Sequence, residues 1–412
     1  MQNFNKGDSI VFISRFPPPY GGVSNQAKLL AEKLSYEKQL KIYIFDLLEM
    51  KIHLIVENKW QHYHFFSKKN LSIIYFLESI YLFFSSLNFG RKNELFNFDK
   101  FLIWRIALLL ISSFLGSLIS KEKIRLIYSF HIGAPSIVGG NLARVFNIPH
   151  MKAVFGEFFS NYEKINIQKK FIYSLAGKDL YFPCSNHCRN LMINIFKKAD
   201  SEILYHGSDL KNIKKEKEKF LRKKRGNEIT LSFLGRHEKE MGIEFFIDLI
   251  KILSNYTEYK FKFLLIGQTG KYTEFIENFS KDFSGNLEIY KSISNKVKNE
   301  LLCKSDFLVV PSSNDRACFG LAIVEGIASK NFVMARNIGG HYEAVLRNDD
   351  YLFEKDLSPE LLAKRIIKIC LKIDNREFKL RLDALQKQII NNFDIEKCLD
   401  RQIIKIKEII NS

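Results

Sequence analysis

The sequence predicts an α/β chain of two Rossmann-like domains, and three observations carry that reading. A length of 412 residues exceeds what one typical domain holds. Runs rich in Ile, Val and Phe alternate with segments of helical spacing, the order that builds parallel sheets flanked by helices. The character of the chain also breaks near Leu210. There a Lys-, Arg- and Glu-rich run at 211–225 has few apolar anchors and reads as a linker or a solvated helix. The hydrophobic fraction of 46% suffices for two cores.

The first strand, 9–14, is apolar on both faces, as a buried parallel strand requires. A loop, Arg15-Phe16-Pro17-Pro18-Pro19-Tyr20-Gly21-Gly22-Val23-Ser24, leads into an amphipathic helix over 25–34. A strand at 41–45 completes a βαβ unit, and further strands are expected at 126–128, 150–154 and 180–183. Beyond the break come a strand at 230–234, a helix at 243–253, strands at 261–266 and 307–310, a helix at 321–328 and a strand at 332–335. Apolar spacing predicts a last helix over 395–410. The expected division is a first domain over 1–207, a second over 208–392, and a C-terminal helix, 393–412, that can cross back to the first domain.

Several function classes are disfavoured by composition. The six cysteines form no disulfide framework and no four-ligand zinc pattern, since Cys184 and Cys188 have no second pair at zinc-site spacing. No metal or other cofactor is expected, and a reducing cytosol fits this cysteine usage. Residues 1–10 carry no basic-then-apolar signal. The apolar stretches 71–89 and 101–119 are long enough to span a bilayer, but Glu78 and Arg105 interrupt them. Both are read as buried or interfacial helices of the first domain. The net charge is +18, and residues 1–200 hold 26 Lys and Arg against 14 Asp and Glu. That excess suits either an anionic membrane surface or a generally basic soluble one. It does not mark a nucleic-acid binder, because no basic-aromatic motif accompanies it.

Three strand-to-helix junctions carry the candidate chemistry. The Gly21-Gly22 loop lies where the first strand ends, the position at which doubly wound folds bind ligands, and free amides at a helix start favour anions. In Gly235-Arg236-His237-Glu238-Lys239-Glu240-Met241-Gly242, a strand again ends in Gly and a basic residue. An Arg there can grip two phosphates bidentately. The richest segment runs from Val310-Pro311-Ser312 through Asp315, Ala317, Cys318, Phe319, Gly320 and Leu321 to Glu325. Its Phe319-Gly320-Leu321 turn offers amides to a diphosphate. Glu325, one turn into the helix, reads either as a helix-surface acid or as an acceptor for both ribose hydroxyls of a nucleotide. Downstream, Gly339-Gly340-His341-Tyr342-Glu343 follows another strand.

In order and spacing these segments resemble glycosyltransferase family 4, retaining enzymes of the GT-B fold, over nearly the whole chain. The Gly21-Gly22 loop, the helix of the 190s leading to His206-Gly207-Ser208-Asp209, the Gly235-Arg236 turn, the Pro311-to-Glu325 block and the Gly339-Gly340 to Glu343 block all match in sequence order. The resemblance implies two domains facing across a cleft. It also implies a nucleotide-diphosphate-sugar donor held mainly by the second domain, an acceptor on the first, and no metal. Gly21, Gly22, Arg236, Lys239, Phe319, Gly320, Leu321 and Glu325 would then bind the donor. Arg236 and Glu325 would be central to catalysis, and Gly156 and Glu157 would lie on the acceptor side.

Three departures stand out. The first of the family's paired glutamates falls at Ala317, its diphosphate lysine at Met241, and the His of its first-domain His-Gly loop at Phe155. Lys239 and Asp315 are the nearby substitutes. The expected function is sugar transfer to a lipid-linked or polysaccharide acceptor in surface-glycan biosynthesis, in the cytoplasm or peripherally on the inner face of the cell membrane. The competing reading is a non-catalytic GT-B subunit that binds a nucleotide-sugar for a partner enzyme.

Overall fold

The computed structural model describes residues 4–17, 22–37, 40–65, 102–131, 133–155, 179–196, 201–220, 227–313 and 317–412. The expected helix at 71–89 and the candidate residues Gly21, Gly156, Glu157 and Asp315 lie outside the described residues. The chain divides into two compact units, residues 1–204 with 399–412, and residues 205–398.

Among the described residues the first unit is built on seven strands: β1 (Asp8–Ile13), β2 (Lys41–Asp46), β3 (Lys51–Val56), β4 (Lys59–His64), β5 (Lys123–Ser129), β6 (His150–Val154) and β7 (Asp179–Pro183). They lie in the order β4-β3-β2-β1-β5-β6-β7. Every residue of β1 is buried, in keeping with its place between parallel neighbours β2 and β5. β3 and β4 run antiparallel, as a hairpin turning at Glu57 and Asn58, both at positive φ. The sequence reading passes over this hairpin because its turn lacks the glycine that marks two-residue turns of this hand.

The helices here are α1 (Gly22–Ser35), α2 (Leu102–Leu118), α3 (Ala134–Val145) and α4 (Asn186–Phe196). α2 is the apolar stretch expected at 101–119. Its Ser112 and Ser113 hydroxyls donate back to the carbonyls of Leu108 and Leu109, and Asn141 of α3 donates to Ser112 Oγ at 2.9 Å. Among the described residues no helix is long and apolar enough to cross a membrane.

The second unit is an all-parallel sheet of β8 (Glu228–Leu234), β9 (Lys260–Gly267), β10 (Asn286–Lys291), β11 (Phe307–Val310), β12 (Phe332–Arg336) and β13 (Leu352–Phe353), in the order β10-β9-β8-β11-β12-β13. Its helices are α5 (Leu210–Phe220), α6 (Ile243–Leu253), α7 (Thr273–Asp282), α8 (Asn295–Lys304), α9 (Leu321–Ala328), α10 (His341–Ala344), α11 (Pro359–Cys370) and α12 (Arg376–Phe393). The closing helix, α13 (Ile395–Asn411), packs with the first unit from Leu399 onward: Lys33 pairs with Asp400 at 2.8 Å and Lys407 with Glu37 at 2.9 Å.

The charged run at 211–225 proves in its first part to be α5, which is neither a linker nor a fully solvated helix. Leu210, Ile213 and Lys217 form a buried stripe at helical spacing. Lys217 lays its stem along the core and donates to the Cys303 carbonyl at 2.8 Å. Counted as polar, that lysine hides the stripe.

Strands β5, β6 and β7 share a buried polar chain. Ser129 Oγ lies 2.8 Å from His150 Nε2, His150 Nδ1 lies 2.8 Å from Asp179, and Lys152 pairs with the other Asp179 oxygen. Burial alone would raise the Asp179 carboxyl, but Lys152 and the His150 hydrogen bond bring it down to about 2. Burial pushes His150 below the ordinary imidazole range. Both shifts make acid destabilising. A depressed His150 costs the fold stability as the pH drops below about 6.5, where the unfolded imidazole takes a proton. A depressed Asp179 contributes stability above its unfolded value near 4 and loses it towards about 2. The thermal midpoint should therefore fall in two stages on acidification. Asp179→Asn should remove the second stage and, by breaking a buried ion pair, cost about 3–5 kcal/mol at neutral pH in urea unfolding. An unchanged urea midpoint would show that the chain contributes nothing net.

Candidate functional site

The candidate residues of the second unit gather where its strands end, as the open parallel sheet dictates. β8 is paired with β9 to its last residue, Leu234 opposite Ile266. The turns that follow stay in contact, with Gly235 N donating to Ile266 O at 3.0 Å and His237 N to Gln268 O at 2.9 Å. A Cβ on Gly267 would collide with the Gly235 carbonyl, so this approach requires glycine. Beside these turns opens a pocket of about 220 Å³, lined among others by Arg236, Gln268, Ser292, Asn295 and Lys298. His237 lies buried at the turn; burial, then Lys291, hold its imidazole below the ordinary range.

A second contact fixes the Lys239–Met241 turn. Gly242, at φ 79°, lies against Pro311 so closely that a Cβ would strike the Pro311 carbonyl. Ser312 Oγ and Ser313 N both donate to Glu240 O, at 3.1 and 2.9 Å. The ends of β8 and β11 are thus tied together. Lys239, however, does not line the pocket: its side chain is 68% exposed and sits 3.7 Å from Glu244. Met241 packs its methyl near Gly235.

The block ending at Glu325 behaves differently in its backbone and its side chains. Phe319 is buried and packs on Tyr205 and Phe393, with ring centroids 5.4 and 4.7 Å apart. Its ring therefore belongs to the core, and what Phe319, Gly320 and Leu321 can offer a ligand is their amides at the start of α9. Ala317 O accepts from Gly340 N at 2.7 Å, which joins this block to the Gly339-Gly340 turn. Tyr205 donates its hydroxyl to Glu343 at 2.9 Å.

Glu325 is not a helix-surface acid. It is 7% exposed, and one of its oxygens accepts from Ser208 Oγ at 2.5 Å and from Lys298 Nζ at 2.8 Å. Ser208 is brought there by the His206-Gly207-Ser208-Asp209 segment, which lies along the end of α12. Ser208 N donates to Phe393 O, and Ile395 N donates to Ser208 O. Lys298 comes from α8 and also lines the pocket, so one lysine links the carboxylate to the cleft that holds Arg236.

Arg236, Glu325 and the α9 amides are thus grouped around the strand ends of one sheet, whereas Lys239 stands aside. Lys298, Gln268 and Ser292 belong to no motif in the sequence reading, and only the pairing of β8, β9 and β10 assembles them. Gly22 opens α1 in the first unit.

Residues 214–383 match the family model of glycosyl transferases group 1. An uncharacterized glycosyltransferase of Methanocaldococcus jannaschii is 27% identical over 298 residues, covering 69% of this chain and 75% of that one. The sucrose-phosphate synthase of Thermosynechococcus elongatus superposes with a TM-score of 0.69 at 15% identity, over 97% of this chain and 98% of that one. Anabaena HepE in complex with UDP-glucose gives a TM-score of 0.65 at 14% identity, over 97% and 99%. At such identities the structural likeness shows the fold alone, and that fold is GT-B.

Proposed function

We propose that this chain, a glycosyltransferase, is a retaining, family-4-like enzyme that moves a sugar from a nucleoside-diphosphate donor to a lipid-linked or polysaccharide acceptor in surface-glycan assembly. One observation carries the donor half of this reading. A buried carboxylate, Glu325, stands beside a cationic pocket and one turn into a helix whose start carries no side-chain cap. A carboxylate accepts the ribose hydroxyls, while Arg236 and the amides of Phe319, Gly320 and Leu321 take the diphosphate. The complex of UDP-glucose with HepE, a protein of the same fold, agrees with a nucleotide-sugar there.

In the proposed reaction the bond between the sugar's anomeric carbon and the diphosphate oxygen breaks. The acceptor oxygen bonds to the same face of that carbon, and its proton passes to the departing diphosphate. The protein's contribution is positioning and stabilisation of the charge that develops on the phosphate, so no protein nucleophile is required. Retention, the acceptor class and a peripheral place on the cytoplasmic membrane face belong to this reading, the last on the +18 net charge concentrated in the first half.

Arg236→Ala should weaken nucleoside-diphosphate binding by about 1.5–3 kcal/mol, the worth of a charged hydrogen bond, in calorimetry against UDP, GDP, ADP and dTDP. Unchanged affinity across that panel removes Arg236 from the site. Glu325→Gln should cut turnover more than tenfold, in rough keeping with the same magnitude, with circular dichroism unaltered. Loss of the fold would instead make Glu325 structural.

Vesicle flotation should rise with anionic lipid and fall with salt, since exposed charges are screened. Binding indifferent to both would dismiss the membrane surface.

Ala317 presents a methyl where the resemblance expects a carboxylate, so the donor sugar should differ from common hexoses at the hydroxyl that carboxylate would read. Ala317→Glu assayed on a donor panel should not improve any common hexose donor. A gain with one of them, at no cost to the native donor, would show a weakened site and no change of sugar.

A further inference from the structure

Two cations line the pocket at the ends of β8 and β9, and they are held in different ways. Arg236 is exposed at its turn. Lys298 is 17% exposed at its side chain and paired with Glu325 at 2.8 Å. The nearest other candidate, Lys239, is turned to solvent near Glu244 and does not line the pocket. Resting on the reading that a nucleoside diphosphate binds here, we propose that Lys298 is the second cation of the diphosphate site: on donor binding it leaves Glu325 and pairs with the phosphate attached to the ribose.

The exchange balances its charges and hydrogen bonds at every position. In this structure the ammonium compensates a buried carboxylate that would otherwise be costly to desolvate. When a ribose arrives, its hydroxyls donate to Glu325 in place of the ammonium, and Ser208 keeps its own hydrogen bond to the same carboxylate. Lys298 then needs a new anion. The donor supplies one in its phosphate, carried by the same ribose, and a lysine's flexible four-carbon stem can make that step. A diphosphate carries more than one negative charge, so Arg236 alone leaves part of it uncompensated. The sheet order explains how a residue so far from the Arg236 turn in sequence arrives here. α8 precedes β11 and α9 follows it, so Lys298 and Glu325 stand on the two helices flanking one strand.

The test compares a diphosphate with its parent nucleoside, UDP with uridine, or GDP with guanosine if the binding panel selects guanine. Wild type, Lys298→Met, Lys298→Gln, Lys298→Arg and Arg236→Ala are titrated at two salt concentrations, with thermal midpoints confirming the fold. Lys298→Met and Lys298→Gln should both weaken the diphosphate about ten- to hundredfold, leave the nucleoside unchanged or tighter, and flatten the salt dependence. Lys298→Arg should restore most of the loss. Gln matters because it can still hydrogen-bond Glu325 while lacking the charge. Equal losses on diphosphate and nucleoside would overturn the proposal and leave Lys298 a prop for Glu325. So would no loss on the diphosphate while Arg236→Ala keeps its own. If Arg236→Ala also has no effect, the donor-pocket reading itself fails and the proposal falls with it.

Discussion

A carboxylate one turn into a helix of aliphatic residues is the constraint around which the second unit is organised. Ile323, Val324 and Ile327 of α9 are fully buried, and Glu325 lies among them at 7% exposure. A charge in such a place must be met by donors or not exist. Meeting it recruits two distant pieces of chain. The segment at Ser208 has to be laid against residues 393–395, and α8 has to present Lys298 rather than an apolar residue at that point. The linking segment, the terminal helices and the sheet are thereby tied to one oxygen atom.

The backbone provides the complementary half. Strand ends in a parallel sheet carry turns that would normally stand apart. Here Gly267 lies on Gly235, and Gly242 lies on Pro311, closely enough that no side chain could intervene. The amides at the start of α9 and the Arg236 turn therefore sit on a rigid base, the arrangement that stabilises a developing charge without reorganisation. Beside it stand two long side chains, Arg236 from the turn itself and Lys298 from α8.

Much of this was legible in the residues. The buried strands at 150–154 and 307–310 and the helices at 243–253 and 321–328 were visible because apolar runs are cut by Pro, Gly or polar residues where the elements end. The Arg236 turn and Glu325 were visible because each follows a strand at the ligand-binding edge. Other elements were hidden for physical reasons. The β3–β4 hairpin turns on Glu57 and Asn58, which reach positive φ without glycine. α5 buries a lysine stem where a pattern reader expects a leucine. Lys298 was invisible because its pairing with Glu325 spans a strand, and no spacing along the chain encodes it. Lys239 is close to Met241 in sequence, yet within a tight turn so small a shift re-aims a side chain, and this one stands exposed beside Glu244.

Ala317 shows why backbone and side-chain recognition can be inherited separately. Its carbonyl is engaged by Gly340 N, and that bond helps hold the Cys318–Gly320 turn beneath the α9 amides. None of this depends on the side chain at 317. A carboxylate can be present or absent there without releasing the turn, so the α9 amides keep their geometry while the chemistry presented beside them changes. On the proposed donor reading, the nucleotide half would meet the α9 amides, one buried acid and the cations beside them. On the same reading the sugar half would meet side chains such as that at 317, and a change there would leave the backbone bond from Gly340 N to Ala317 O in place.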